Sequence, residues 1–161
     1  MSAAKGYAKF VKGLDPKVFA ELHNKFANGN HQVNVGIRED KGAVTHKDSD
    51  LTVAQIGAIH EFGAPAAGIP ERPFLRGSIQ KNRQKYIALN RNSLKKIISG
   101  DLDMNGALGL LGTRAAADVQ REIRAGDFVA LDPKTIKRKG SSKPLIDTGQ
   151  LRQSIDWELD K

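Results

Sequence analysis

The 161-residue sequence has no cysteine. That absence excludes a disulfide framework, a thiol nucleophile, an iron–sulfur site and any cysteine-based zinc site, and it fits a reducing compartment such as bacterial cytoplasm. Long apolar runs are missing as well. The stretch Met1 to Lys17 mixes Lys5, Lys9 and Lys12 with single apolar residues, so neither a signal peptide nor a membrane span is expected. No GxxxxGK[ST] or GxGxxG phosphate loop occurs. Gly106, Gly109 and Gly112 recur every third residue inside an apolar helical pattern and do not follow a strand, which argues against nucleotide hydrolysis. Acidic residues are scarce: 18 Asp plus Glu against 26 Lys plus Arg give a net charge of +8. A pI near 9.8 makes an anionic partner or a negative neighbouring surface worth weighing.

What is present suits a single globular domain spanning 1–161. Hydrophobic residues make up 39% and charged residues 27%, slightly to the polar side of an ordinary domain but too apolar for disorder throughout. A chain of this size buries roughly 68–70% of its unfolded surface, so it should fold without staples, with a modest core completed by partner subunits.

The spacing predicts a first helix from Leu14 to Asn28, with Asp15 as cap, Pro16 at the first helical position, Val18, Phe19, Leu22 and Phe26 on one face, and Gly29 as stop. His31 to Arg38 alternates Val33, Val35 and Ile37 with polar or small residues, as a half-buried strand does. Glu39 to Asp50 reads as a mobile loop or weak hairpin. Thr52 and Gln55 form a capping-box pair for a helix ending near Gly63 and Pro65. A long helix is predicted over Phe74 to Ser99, its partial apolar stripe formed by Tyr86, Ile87, Leu94, Ile97 and Ile98. Another runs from Asp103 to Ala125, with Leu108, Leu111, Ala115, Val119 and Ile123 at helical spacing. Its glycines cost helix propensity, which suggests close approach of a neighbouring helix. Phe128 to Lys143 reads as irregular and basic, and residues 1–13 as a flexible N-terminus. Asp147 with Gln150 caps a short helix before a final strand, Ser154 to Leu159. The fold class expected is α+β, with three or four helices, two of them long, packed on a small antiparallel sheet.

Tests for chemistry remove the usual candidates. His60 and Glu61 resemble half of a zinc-protease motif, but Ala64 stands where the second histidine belongs. His60 is therefore expected to pack or hydrogen-bond, and no metal site is predicted. Leu145 to Gly149 spells two apolar residues followed by Asp-Thr-Gly, the signature of an aspartic-protease loop, yet Gln150 follows where a Ser or Ala belongs and only a short chain remains before Lys161. Asp147 as a helix cap accounts for the same residues. No cofactor and no small-molecule substrate are expected.

Charge is concentrated. Arg72, Arg76, Lys81, Arg83, Lys85, Arg91, Lys95 and Lys96 fall between Arg72 and Ile98 without one acid. Lys134, Lys137, Arg138, Lys139 and Lys143 form a second basic stretch, a candidate for contact with phosphates or with an acidic partner. A solvated loop is the plainer reading of that stretch, since no aromatic is interleaved for base stacking.

Two segments are more specific than any catalytic motif: VAQIGAIHEFGAPAAGIPERPFLR, Val53 to Arg76, and LDPKTIKRKGSSKPLIDTGQLRQSIDWEL, Leu131 to Leu159. Together they resemble the tail-completion and virion-morphogenesis proteins of tailed bacteriophages, from about Val33 onward. The resemblance implies a non-enzymatic virion protein at the head-proximal end of the tail or in the neck, assembled in the host cytoplasm. It would form a homo-oligomeric ring, commonly a hexamer, that completes the tail tube and meets the head connector, with DNA passing along its lumen. A tail terminator capping the tube is the near alternative; a small basic DNA-binding protein is the rival from another class. Arg72, Pro73, Phe74, Leu75 and Arg76 read either as interface anchors or as an internal helix start packed on its own core. Pro144, Asp147, Thr148, Gly149 and Gln150 read as a structural junction, either a hinge or a plain turn before a capped helix. Relatives often continue with more strands after the Asp-Thr-Gly segment, whereas Lys161 comes one strand later. A small sheet is therefore expected, with a third strand from Gly42 to His46 at most and open edges covered by neighbouring subunits.

Overall fold

A computed structural model describes residues 16–27, 31–46, 49–140 and 142–160. The expected cap Asp15, the stop Gly29 and the N-terminus 1–13 lie outside them. The chain divides into two compact units, 1–31 together with Lys161, and Gln32–Asp160. In the first, helix α1 spans Pro16–Ala27, and the Phe26 ring meets His31 edge-on at 6.3 Å between centroids.

The second unit carries strand β1 (Val33–Ile37), a single helical turn α2 (Glu39–Gly42), helices α3 (Val53–Phe62), α4 (Phe74–Ser99), α5 (Met104–Ala125), α6 (Pro133–Lys139) and α7 (Gln150–Ser154), and strand β2 (Ile155–Leu159). It is an α+β fold, helices against a small antiparallel sheet.

The two strands pair antiparallel, Val33 opposite Leu159, Val35 opposite Trp157 and Ile37 opposite Ile155. Directly opposed side chains share a face, so these six apolar residues line one side of the ribbon. Asn34, Asp156 and Glu158 take the other, where Lys41 reaches Asp156 at 3.2 Å and Arg38 reaches Glu158 at 3.6 Å. A third strand from Gly42 to His46 is not found among the described residues. That segment follows α2, and Thr45 bridges back to Thr52, because Glu39 and Asp40 favour a helical first turn where a strand would need alternation.

The apolar face of the ribbon packs on α5, and the glycines of that helix explain how. A Cβ at Gly112 would lie 2.6 Å from the Trp157 indole. The close neighbour expected at these glycines is thus a tryptophan on a strand, where a helix was expected. Phe74, Val119 and Ile155 form the centre of the core, closed by Val53, Leu145 and Leu151.

Helices α4 and α5 form an antiparallel hairpin joined through Gly100, which takes the left-handed conformation at the end of α4. The face that α4 buries differs from the expected apolar stripe. Ser78, Asn82 and Ser93 are buried along it, whereas Ile98 is exposed. Small side chains let two helices approach closely, and the Asn82 amide is satisfied within its own helix, donating to the Ser78 carbonyl at 2.9 Å.

Helix α6 corrects the irregular reading of 128–143. Asp132 accepts the Lys134 N–H at 2.8 Å, Pro133 occupies the first turn, and Gly140 closes the helix in the left-handed conformation. The run of lysines had masked an ordinary start and stop signal.

Candidate functional site

The first of the two family-like segments begins with α3. Thr52 Oγ1 accepts the Gln55 N–H at 3.2 Å and Gln55 Oε1 accepts the Thr52 N–H at 2.9 Å, the capping box expected from the sequence. The helix ends at Gly63, with φ of 73°, where a Cβ would stand 2.9 Å from the Glu71 nitrogen. Only glycine fits both that conformation and that approach. A 3-10 turn, Pro65–Ala67, and a bridge between Ala64 and Ile69 fold the loop back on itself. The Arg72 N–H then donates to the His60 carbonyl at 2.6 Å, which brings the chain back across the end of α3.

This return places Glu61 beneath the start of α4. Glu61 is buried, and its carboxylate accepts the N–H groups of Leu75 at 2.9 Å and Arg76 at 3.0 Å. These are the second and third residues of the helix, whose donors have no intrahelical partner. Pro73 sits at the capping position, one residue before the helix, and has no side-chain acceptor to offer. Arg76 completes the arrangement: it donates to the Glu61 carbonyl at 3.1 Å, pairs with Glu71, and lies 5.5 Å above the Phe62 ring. The glutamate of the His-Glu pair is therefore a helix cap supplied from another element.

Arg72 and Phe74 are only 3% and 1% exposed. The interface-anchor reading fails for these two, which are internal to the subunit. The Arg72 guanidinium donates to the carbonyls of Val129 at 2.9 Å and Ala130 at 3.2 Å, and burial lowers its pKa from the ordinary arginine value. It thereby ties the loop before α4 to the segment after α5. Pro73 and Leu75 are half-buried, and only Arg76 of the five is exposed.

The two family-like segments meet around a cleft of about 1050 Å³, where His60 and Arg72 from the first face Leu145, Asp147, Thr148 and Gln150 from the second. Nothing in their spacing could have shown this convergence. Within the second segment, Pro144 to Gly149 is a turn leading into α7, and Leu145 from the turn and Leu151 from the helix enter the core. The cap differs from the one expected. Gly149 occupies the capping position and Thr148 Oγ1 accepts the Gln150 N–H at 3.3 Å, while Asp147 is exposed at the cleft rim. Gly149 cannot cap with a side chain, so the nearest hydroxyl takes the role.

The basic stretch is divided. Lys134 and Lys137 are exposed on α6 and Lys143 is exposed beyond it. Arg138 and Lys139 belong to the same helix, but their side chains fall outside the described residues. No group of three or more His, Asp or Glu able to hold a metal occurs among the described residues.

One cluster had no sequence-level assignment. Asp118 on α5 is buried, with Arg114 at 3.1 Å, Arg121 hydrogen-bonded to its other oxygen, and the Tyr86 hydroxyl of α4 at 3.3 Å. Burial first, and then the Asp118 charge, push the Tyr86 pKa up to about 12. The spacing of Arg114, Asp118 and Arg121 was the available signal; on sequence alone it looks like an exposed ion-pair row.

Fold and site thus describe an α+β scaffold whose polar groups near the cleft hold backbone in place. Comparison with protein-family models, with curated proteins and with solved structures finds no match.

Proposed function

We propose that this chain is a non-enzymatic structural protein of a tailed phage, placed at the head-proximal end of the tail or neck. There its copies form a ring, a hexamer on the family resemblance, that completes the tail and meets the head connector. The observation that carries this reading is the use made of the two family-like segments: Glu61, Arg72 and Thr148 serve to cap helices and tie loops, and the two segments together line one cleft. A motif of this kind specifies a shape. Two features call for neighbouring subunits. The sheet has two strands, each with an outer edge open to pairing among the described residues. Large apolar side chains also face outward, Phe62 at 66% and Val129 at 58% exposed.

Light scattering coupled to size exclusion tests the ring, with a species of several copies expected. Electron microscopy of particles made without this chain tests the placement: intact tails lacking heads support completion, and tubes of uncontrolled length support the terminator alternative. A monomer at every concentration, together with normal particles in its absence, would overturn the proposal.

A further inference from the structure

Helix α4 runs 26 residues, about 39 Å, and its sequence contains no carboxylate. The fold sorts its cations into two sets. At the end nearer the core, Arg76 is engaged by Glu61 and Glu71, and Lys81 lies 3.2 Å from Glu122 of α5. Farther along, Arg83, Lys85, Arg91, Lys95 and Lys96 are exposed, and no carboxylate among the described residues pairs with them; Lys85 donates to Asn82 of its own helix. At roughly 100° per residue Arg83, Arg91 and Lys95 fall within about 120° around the helix and span about 18 Å along it, while Lys85 and Lys96 lie outside that arc. Exposed Gln84, a neutral donor, lies on the same arc.

We infer that this face of α4 binds the phosphate backbone of a nucleic-acid duplex without reading its sequence. Protein-binding surfaces draw on aromatic anchors, and this arc carries none. Single-strand binders add aromatic platforms for stacking. Tyr86, the aromatic of α4 in this stretch, is instead turned toward Asp118 in the hairpin. What remains is a row of three cations with Gln84 beside them, set among the aliphatic Ile87, Leu94 and Ile98 of the same arc; the cations and the amide supply the chemistry of backbone positioning. The assignment falls on α4 rather than α6 and does not depend on the ring reading, since a single chain presents the whole face.

The test is fluorescence anisotropy of the full chain with a labelled mixed-sequence duplex of about two helical turns, across added salt. Wild-type affinity should fall on the order of 10²-fold between about 50 and 200 mM salt. The triple change Arg83→Gln, Arg91→Gln, Lys95→Gln should weaken binding at low salt and flatten the slope of log affinity against log salt by about three, roughly 0.9 per lost contact. Each of R91Q and K95Q alone should flatten it by about one. Lys134→Gln with Lys137→Gln should leave the slope in place. The inference is overturned if the wild type does not bind at low salt, if the triple change leaves the slope intact, or if the α6 variant loses as much. Equal competition by polyglutamate of matched charge would also overturn it, pointing to an acidic protein surface.

Discussion

The two helices that frame the loop at 63–73 are started in different ways. Helix α3 is capped by its own first turn, Thr52 and Gln55 exchanging bonds three residues apart. Helix α4 is capped by Glu61, which lies 14 and 15 residues before the groups it accepts. A local cap stabilises one helix end. A remote cap also fixes the path of the chain between its two halves, and so its loss releases both the donors and the loop. The second arrangement carries more of the fold although it leaves less trace in the sequence.

That contrast can be broken by mutation. Glu61→Ala leaves two part-buried N–H groups of the first turn without their acceptor and takes one of two carboxylates from Arg76, and should cost about 3 kcal/mol, read as a fall in urea midpoint. Glu61→Gln keeps one acceptor oxygen and should recover part of the loss. If both variants were as stable as the wild type, α4 would not need its remote cap.

The Asp118 cluster sharpens the comparison, because it too is a buried carboxylate. Its arginines, however, are about half exposed, at 48% and 53%, and can turn to water when the carboxylate is lost. Asp118→Asn should therefore cost less, about 1–2 kcal/mol in the same denaturation assay. A cost equal to that of Glu61→Ala would mean that the arginines depend on their carboxylate as fully as the first turn of α4 depends on Glu61.

Thr52→Ala, at the local cap, should cost about 1 kcal/mol. The change Thr52→Ala with Gln55→Ala should cost less than the sum of the two single losses, since the bonds are reciprocal. Thermal melts of the three variants check both statements.

A further effect is confined to alkaline pH. Tyr86 titrates near 12 in the folded chain against an ordinary 10. Its contribution to stability is complete below about pH 10 and is lost as pH rises toward 12. Tyr86→Phe should flatten that part of the stability curve, and denaturation at stepped alkaline pH would reveal it.

How far the sequence could be read depended on the distance over which each determinant acts. The bounds of α4, the alternation of β1, the single strand β2 and the box at Thr52 were all legible, because each rests on residues within one or two turns of each other. Helix α6 was legible in principle, through Asp132, Pro133 and Gly140, but its lysines drew the reading toward a loop. The glycines of α5 announced a close neighbour and could not say which, since Trp157 lies more than forty residues away. Arg72 to Arg76 invited two readings that differ only in burial, and a short aromatic and arginine run looks the same inside a subunit as at its surface.

By itself, the sequence determined where the two long helices and the two paired strands run, how much charge the chain carries and on which helix it accumulates. Those outcomes follow from backbone propensity and local hydrogen bonding. Only the tertiary structure decided that Glu61 caps a helix it does not belong to, that Arg72 is spent inside the fold, and which cations of α4 keep a carboxylate nearby. The physical reason is that burial and electrostatic pairing depend on distance through space, and chain separation does not fix that distance until the core has formed.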